Sequence, residues 1–374
     1  MENEQESRVI YKPAKEVLAH LEEVYKKMDH CVALRQKPFR YFDELSLEEV
    51  ITESVKRWNS FLPPRAERDW RTAVFMPETR NKIIAILSYF ASQRMRVEIT
   101  ARNKQKVSDK KLARVLSTLY DYSMDAEKGD MRFFEASLEN IVKGTVVVFE
   151  GWKYRIRDVK KVVTHNFETG TVTWGKEQII DYDCAHQRVI PLEDLFIPNF
   201  YEPDIQEQSY VIIREEVDFE VFKSRYGKYP QSKFVKNRSQ ILENKEGNIY
   251  FYEHWESRVT VDSVEILHVW NKFSDQCDII ANGVLLTPLV NPFIFDHKQY
   301  PFSKAVFEPI AVDFFYGKSL PQKILSEQDV INTMYNMFLD RTYLSVMPFF
   351  FTSLLDEIEE DSIGPLQRIQ VSHV

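Results

Sequence analysis

The side chains with the clearest chemical potential stand in "DYDCAH", where Asp181, Asp183, Cys184 and His186 fall within six residues. Carboxylate, thiolate and imidazole are the groups that hold a divalent metal. Three such ligands and a bound water would make a phosphodiesterase centre. In a strand, however, Asp181 and Asp183 share one face while Cys184 and His186 share the other. No second ligand pair follows at a suitable distance, so the stretch reads first as a strand end and loop. A metal-dependent phosphodiesterase using this cluster stands as the enzymatic alternative.

The second candidate is "GTVTWGKE", Gly170 to Glu177, which fits a phosphate loop up to its last position. There Glu177 replaces the Ser or Thr that would hold Mg²⁺, and its carboxylate would repel phosphate. The flanks alternate as in a hairpin, whereas a phosphate loop runs from strand into helix. His254 and His268 sit beside Trp255 and Trp270, and each reads as a packed or hydrogen-bonded histidine. No G-x-S-x-G or HExxH occurs. No catalytic residue, cofactor or metal site is therefore expected.

Composition bounds the elements that could position such groups. The chain has 374 residues, enough for two or three packed units, and 44% of them are hydrophobic. Ten glycines are too few for several glycine-rich ligand loops. The net charge of −8 excludes a protein held on nucleic acid by bulk charge, and the basic runs at 102–114, 154–161 and 223–238 are scattered. Cys31, Cys184 and Cys277 form no CxxC pair, which fits a reducing compartment. The polar N-terminus is no signal peptide, and no apolar run suffices for a membrane span, so a soluble intracellular protein is expected.

Periodicity divides the chain in two. Helical spacing follows Pro13 (Val17, Leu18, Leu21, Val24, Tyr25, Met28), and Ser46 with Glu49 forms a capping box for a second helix. A third starts at Pro77, a fourth carries Leu112, Val115, Leu116 and Leu119 on one side, and a short fifth covers 131–143. After Gly144 the period becomes two. "TVVVFEGWKYRIRDV" and "TGTVTWGKEQIIDY" predict antiparallel strands, "SYVIIREEV" another, and "DFEVFKSRYG" a short helix. Residues 248–290 predict a meander of "IYFYEHWES", "VEILHVWNKF" and "CDIIANGVLL", with Asn282-Gly283 as a hairpin turn. The fold class is α+β.

One long helix is expected near the end, from a Ser319 cap with Gln322 and Pro321 in its first turn to Pro348, about 28 residues or roughly 42 Å. On it Gln328, Asn332, Asn336 and Asp340 recur at every fourth position, a polar stripe beside an apolar face. A solvated face usually carries Lys and Glu, which are better helix formers than Asn. A partner that takes up the amide hydrogen bonds would offset that cost, as a buried Asn fixes register between helices of a coiled coil. By its residues the stripe reads first as a solvated face and, with a partner for its amides, as a subunit interface.

"YPFSKAVFEPIAVDFFYGKSLPQKILSEQDVINTMYNMFLD" resembles the region joining wing to stem in portal proteins of tailed bacteriophages. The resemblance rests on Pro301-Phe302, on Tyr316-Gly317-Lys318-Ser319, and on Gln328, Asn332 and Asn336. "MPFFFTSLLDEIEEDSIGPLQRIQV" is similar to the family's turn into an acidic segment, and "WRTAVFMPETRNKIIAIL" and "VIPLEDLFIPNFYEPDIQEQSYVIIREEV" resemble wing segments. Four motifs stand in the family's order over roughly 300 residues.

The resemblance implies a helical part of the wing at 1–143, an α+β part at 144–310, a stem helix at 311–347 and the start of the clip at 348–374. Tyr316, Gly317, Ser319 and Pro348 would mark the wing–stem junction. The rest of the clip, a second stem helix, a channel loop and a crown would lie beyond Val374, as in a truncated chain. It further implies a ring, a dodecamer in the family, at one capsid vertex of the virion, assembled in the host cytoplasm. Its partners would be the major capsid protein and scaffold, terminase, head-completion and tail adaptor proteins, and double-stranded DNA held weakly and without sequence preference. No membrane is implied. An intracellular scaffold protein, with the long helix paired to an unrelated partner, is the remaining alternative.

Overall fold

Apolar residues at helical spacing after Pro13 form α1 (Lys15–Gln36), which buries Leu21, Val24, Tyr25, Met28 and Cys31 along one side. Each of those large side chains contributes roughly 1.5–3 kcal/mol by burial. In the last turn of α1, the buried Arg35 donates to the carbonyls of Leu192 and Leu195, both at 2.9 Å, and its guanidinium lies 4.8 Å from the Phe196 ring centre. The structure is a computed structural model that describes residues 13–61, 71–92, 97–165, 172–238, 262–293, 297–347, 350–352 and 368–370.

α2 (Leu47–Trp58) begins at the expected capping box, with Ser46 and Glu49 each bonding the other's backbone N–H. α3 (Glu78–Ser92), α4 (Val107–Ala126) and α5 (Gly129–Lys143) complete the N-terminal helices, with α5 packed between α3 and α4. The period then changes as expected. β1 (Thr145–His165) and β2 (Val172–Ile190) form one antiparallel hairpin, and β8 (Phe302–Val306) pairs with β1 only from Thr145 to Phe149. Gly175 and Lys176 of the phosphate-loop match lie in β2 opposite Lys161 and Lys160, in strand rather than at a helix start.

The second sheet runs β3 (Leu195–Phe196), β4 (Val211–Asp218), β5 (Ser263–Asn271), β6 (Gln276–Ala281) and β7 (Val284–Leu285), all antiparallel in that order. Asn282 and Gly283 both take positive φ, 42° and 80°, as the expected two-residue hairpin turn requires. α1 covers one face of this sheet through Ile212, Leu267, Val269 and Ile280. α6 (Phe219–Tyr226) packs near Val264 and Ile266, and the largest core joins Val211, Ile213 and Trp270 to α2 and to Phe314, Phe315 and Tyr316. Cover on both faces explains why β5 buries apolar residues on each of them, Ile266 on one and Leu267 on the other. The expected strand "IYFYEHWES", with His254 and Trp255, lies outside the described residues.

The expected single long helix is two. Ser319 caps α7 (Leu320–Lys323) through a capping box with Gln322, and α8 (Leu325–Val346) follows after a break at Ile324, where ψ is 17°. α7 is held against α2, α3 and α5, whereas α8 follows a different segment, so the axis turns between the two docking surfaces. A short parallel pair, β9 (Phe350–Thr352) and β10 (Arg368–Gln370), comes last.

Candidate functional site

The site grows from a close approach of two glycines. Gly144 ends α5 at φ 81°, a left-handed conformation that L side chains rarely adopt. A Cβ on Gly317 would come within 2.6 Å of the Gly144 carbonyl oxygen and 2.8 Å of that of Glu308. The backbones therefore touch there. Gly317 donates to the Thr145 hydroxyl at 2.8 Å, and Phe307 donates to the Gly144 carbonyl at 2.9 Å. Beside it Tyr316 is buried against Phe200 and Phe315, and burial pushes its hydroxyl well above the usual tyrosine range. The Ser319 hydroxyl lies 3.1 Å from that of Ser54 on α2. Tyr316, Gly317 and Ser319 thus come together and fix where α7 leaves the body. Pro348 lies outside the described residues.

The stripe on α8 meets a backbone. Its partner is the extended segment 71–77 of the same chain, which leads into α3. Asp340 accepts from Thr72 N at 2.6 Å, Asn336 from Val74 N at 2.9 Å, and Asn332 from Met76 N at 2.9 Å. Gln328 accepts from both the backbone N–H and the hydroxyl of Thr79, each at 3.0 Å. Carbonyls are served as well: Asn336 donates to Val74 O at 3.1 Å, and Gln328 to Met76 O at 2.6 Å.

The rise per residue of the two segments explains the spacing. Four helical residues advance about 6 Å and two extended residues about 6.6 Å, so every fourth side chain meets every second amide of a strand running the other way. Only a primary amide carries a donor and an acceptor on one planar group, so it can pair with a residue's N–H and C=O as another peptide would. The small mismatch accumulates toward Gln328, the longest of the amide side chains. There the partner is Thr79 rather than a further strand residue. Thr79 lies in the first turn of α3, where N–H groups lack partners within the helix, so Gln328 caps α3 from a distant helix. Gln328 is 1% exposed, the one buried residue of α8.

The opposite side of α8 has no such cover. Successive residues turn by about 100°, which places Val330, Met334, Met337 and Phe338 on the arc facing away from the stripe. Met334 is 66% and Phe338 65% exposed. At the near end of the helix Asp329 pairs with Arg57 of α2.

The groups in the first candidate cluster are engaged, and Asp181 and Asp183 do not share a face as expected: a register shift leaves Asp181 without a partner in β1 and turns it to the Arg155 side. Asp181 neighbours Arg155 and Arg157 at 3.3 and 3.7 Å, and Asp183 accepts from the Trp152 indole at 2.8 Å. Cys184 is buried, and His186 Nδ1 sits 2.8 Å from Glu127, which also pairs with the Tyr182 hydroxyl. Among the described residues no three metal-ligating side chains gather. His268 lies 3.4 Å from Glu215; burial pushes Glu215 up, but the His268 bond with Arg188 and Arg225 outweighs it and holds the carboxyl at about 2. That histidine belongs to a structural ion-pair network.

Sequence reasoning missed the partner segment, because backbone amides carry no residue signature. It also left open which way the apolar side of α4 points. Leu112, Val115, Leu116 and Leu119 all face solvent, and α4 buries only Ala113.

Among the described residues no helix is long and apolar enough to cross a membrane. A comparison with curated proteins finds no match. The family of phage P22-like portal proteins matches residues 61–311. That stretch holds the ladder segment 71–77, all strands of the three-stranded and five-stranded sheets, and the approach to the glycine contact. Portal proteins are structural parts of the virion, head-to-tail connectors in DNA packaging, whose subunits form rings that meet capsid and terminase. On a match covering more than half of its length, the chain belongs to the phage P22-like portal protein family.

Proposed function

We propose that this chain is the subunit of a closed ring, a dodecamer, at one capsid vertex. The ring conducts double-stranded DNA during packaging and ejection and docks terminase and head-completion proteins. In that reading residues 1–143 and 144–310 are the helical and α+β parts of the wing, 311–347 carries the stem helix, and 348–374 starts the clip. The observation that carries it is the two-sided character of α8. One side is bonded to the chain's own strand, and the other presents Val330, Met334, Met337 and Phe338 to solvent. An apolar helix face left open on a subunit of a ring-forming family is a surface for the next copy.

Gln328, Asn332, Asn336 and Asp340 then serve the interface from behind. They hold segment 71–77 in register along α8, so helix and strand present one composite face. Tyr316, Gly317 and Ser319 set the angle at which that face leaves the wing.

A conduit must let DNA slide, and a chain of net charge −8 suits that, because tight phosphate neutralisation would stall movement. Fluorescence anisotropy with duplexes of unrelated sequence at physiological salt is expected to give the same Kd for each, no tighter than about 1 μM, the range of non-specific binding. A nanomolar complex that prefers one sequence would mean base-edge recognition and would contradict a conduit.

A further inference from the structure

The β1–β2 hairpin continues far past its support. Beyond Phe149 β8 no longer flanks it, and from Trp152 to Val163 every residue but Val159 is exposed. Twelve strand residues reach about 40 Å. A two-stranded ribbon is marginal in water by itself, so an arm of this length needs a surface to lie on.

Its two faces differ. Trp152, Tyr154, Ile156 and Val162 share one face by strand alternation, and the register adds Ile180 opposite Ile156 and Trp174 opposite Val162. Lys153, Arg155, Arg157 and Lys161 share the other. Among the described residues only the base of that charged face is covered by the chain itself, where Tyr182 and His186 reach Glu127 at the end of α4. From Trp152 to Arg157 the alternation is that of a strand with one buried face, Asp158 and Lys160 interrupt the apolar row before Val162, and Trp152, Ile180 and Trp174 are all more than half exposed.

A second open surface lies on α4. α4 buries Ala113 and turns Leu112, Val115, Leu116, Leu119 and Tyr122 outward. The arm and α4 therefore each leave an apolar face open on the single copy. A closed ring is built from heterologous contacts, in which one surface of every copy seats on a different surface of the next. Two unlike apolar faces on one subunit meet that requirement.

We propose that the apolar face of the β1–β2 arm packs on the outward face of α4 of the neighbouring copy. This rests on the ring reading above and names the surfaces that make it. The ribbon is about 10 Å wide, so the contact covers on the order of 400 Å² per partner, about half of a standard interface. The open side of α8 supplies the remainder. The arm's face carries acids and bases in near balance, Asp158 and Asp183 against Lys160 and Lys176, which suits a protein surface rather than a phosphate backbone.

The test uses two variants of the full chain. One carries Trp174→Asp and Ile180→Asp on the arm, the other Leu116→Asp and Leu119→Asp on α4. All four side chains are exposed in the single copy, so circular dichroism should match the unaltered chain. By native mass spectrometry each variant alone should lose its rings at least tenfold. Mixed in equal amounts, they should form a dimer of one copy of each and nothing larger. The intact arm of the α4 variant seats on the intact α4 of the arm variant, while the remaining pair of surfaces is disabled. Rings that persist in either variant, or a mixture that stays monomeric while the unaltered chain forms rings, would overturn the arm–α4 contact and leave the ring reading standing. An arm bound to the capsid shell would give the first of those results. An unaltered chain that stays monomeric overturns both.

Discussion

Gln328→Ala is expected to lower the stability of the chain by about 3 kcal/mol, although alanine is the better helix former. The side chain is buried and makes four hydrogen bonds: it accepts from Thr79 N and Thr79 Oγ1 and donates to Met76 O and Asn332 Oδ1. Truncation strands the Thr79 N–H inside the protein, at roughly 1–3 kcal/mol for an unmade buried bond. A cavity adds to that. The propensity gain of about 0.4 kcal/mol cannot offset the sum. Hydrogen exchange locates the effect: the amides of Thr79 and Met76 should lose protection, while those of β5 should not. Gln328→Glu separates the two halves of the ladder. Its oxygens still accept from Thr79, but its carboxylate cannot donate to Met76 O. Exchange at Thr79 should then stay slow while the 71–77 segment loosens. Unchanged protection in Gln328→Ala would show that the stripe does not hold the segment.

Met334→Glu with Phe338→Glu should do the opposite, leaving the single copy intact and abolishing assembly. Both side chains are about two thirds exposed and glutamate is at least as good a helix former as phenylalanine, so the subunit loses only the roughly 0.2–0.5 kcal/mol of an i,i+4 like-charge pair. In a ring the same positions are covered, and each new carboxylate must be desolvated without a partner, several kcal/mol per interface. Every interface in the ring carries the same penalty. Sedimentation of the double variant should show monomer at concentrations where the unaltered chain assembles. Rings of normal population would place the interface on another side of α8.

Much of this was legible in the residues, and the remainder has physical reasons for being hidden. The capping boxes at Ser46 and Ser319, the turn at Asn282-Gly283 and the alternation of the 145–190 hairpin follow from local chemistry, and each stands where it was read. The four-residue spacing of Gln328, Asn332, Asn336 and Asp340 announced a partner for the amides. That the partner is backbone 72–79 could not be read, because hydrogen bonds to N–H and C=O leave no trace in residue type and the segments are some 250 positions apart. The break at Ile324 was equally silent. It depends on α7 and α8 following different surfaces, while Pro321 is compatible with either path. For α4, periodicity gave the apolar side but not its direction, since a stripe meant for a core and one meant for a neighbour look the same.

Electron microscopy of the purified chain tests the central claim most directly. Closed rings are expected, with a central channel wide enough for a double helix and subunits whose α8 helices stand side by side through the face of Met334 and Phe338. Monomers at every concentration, or open filaments in place of closed rings, would contradict it.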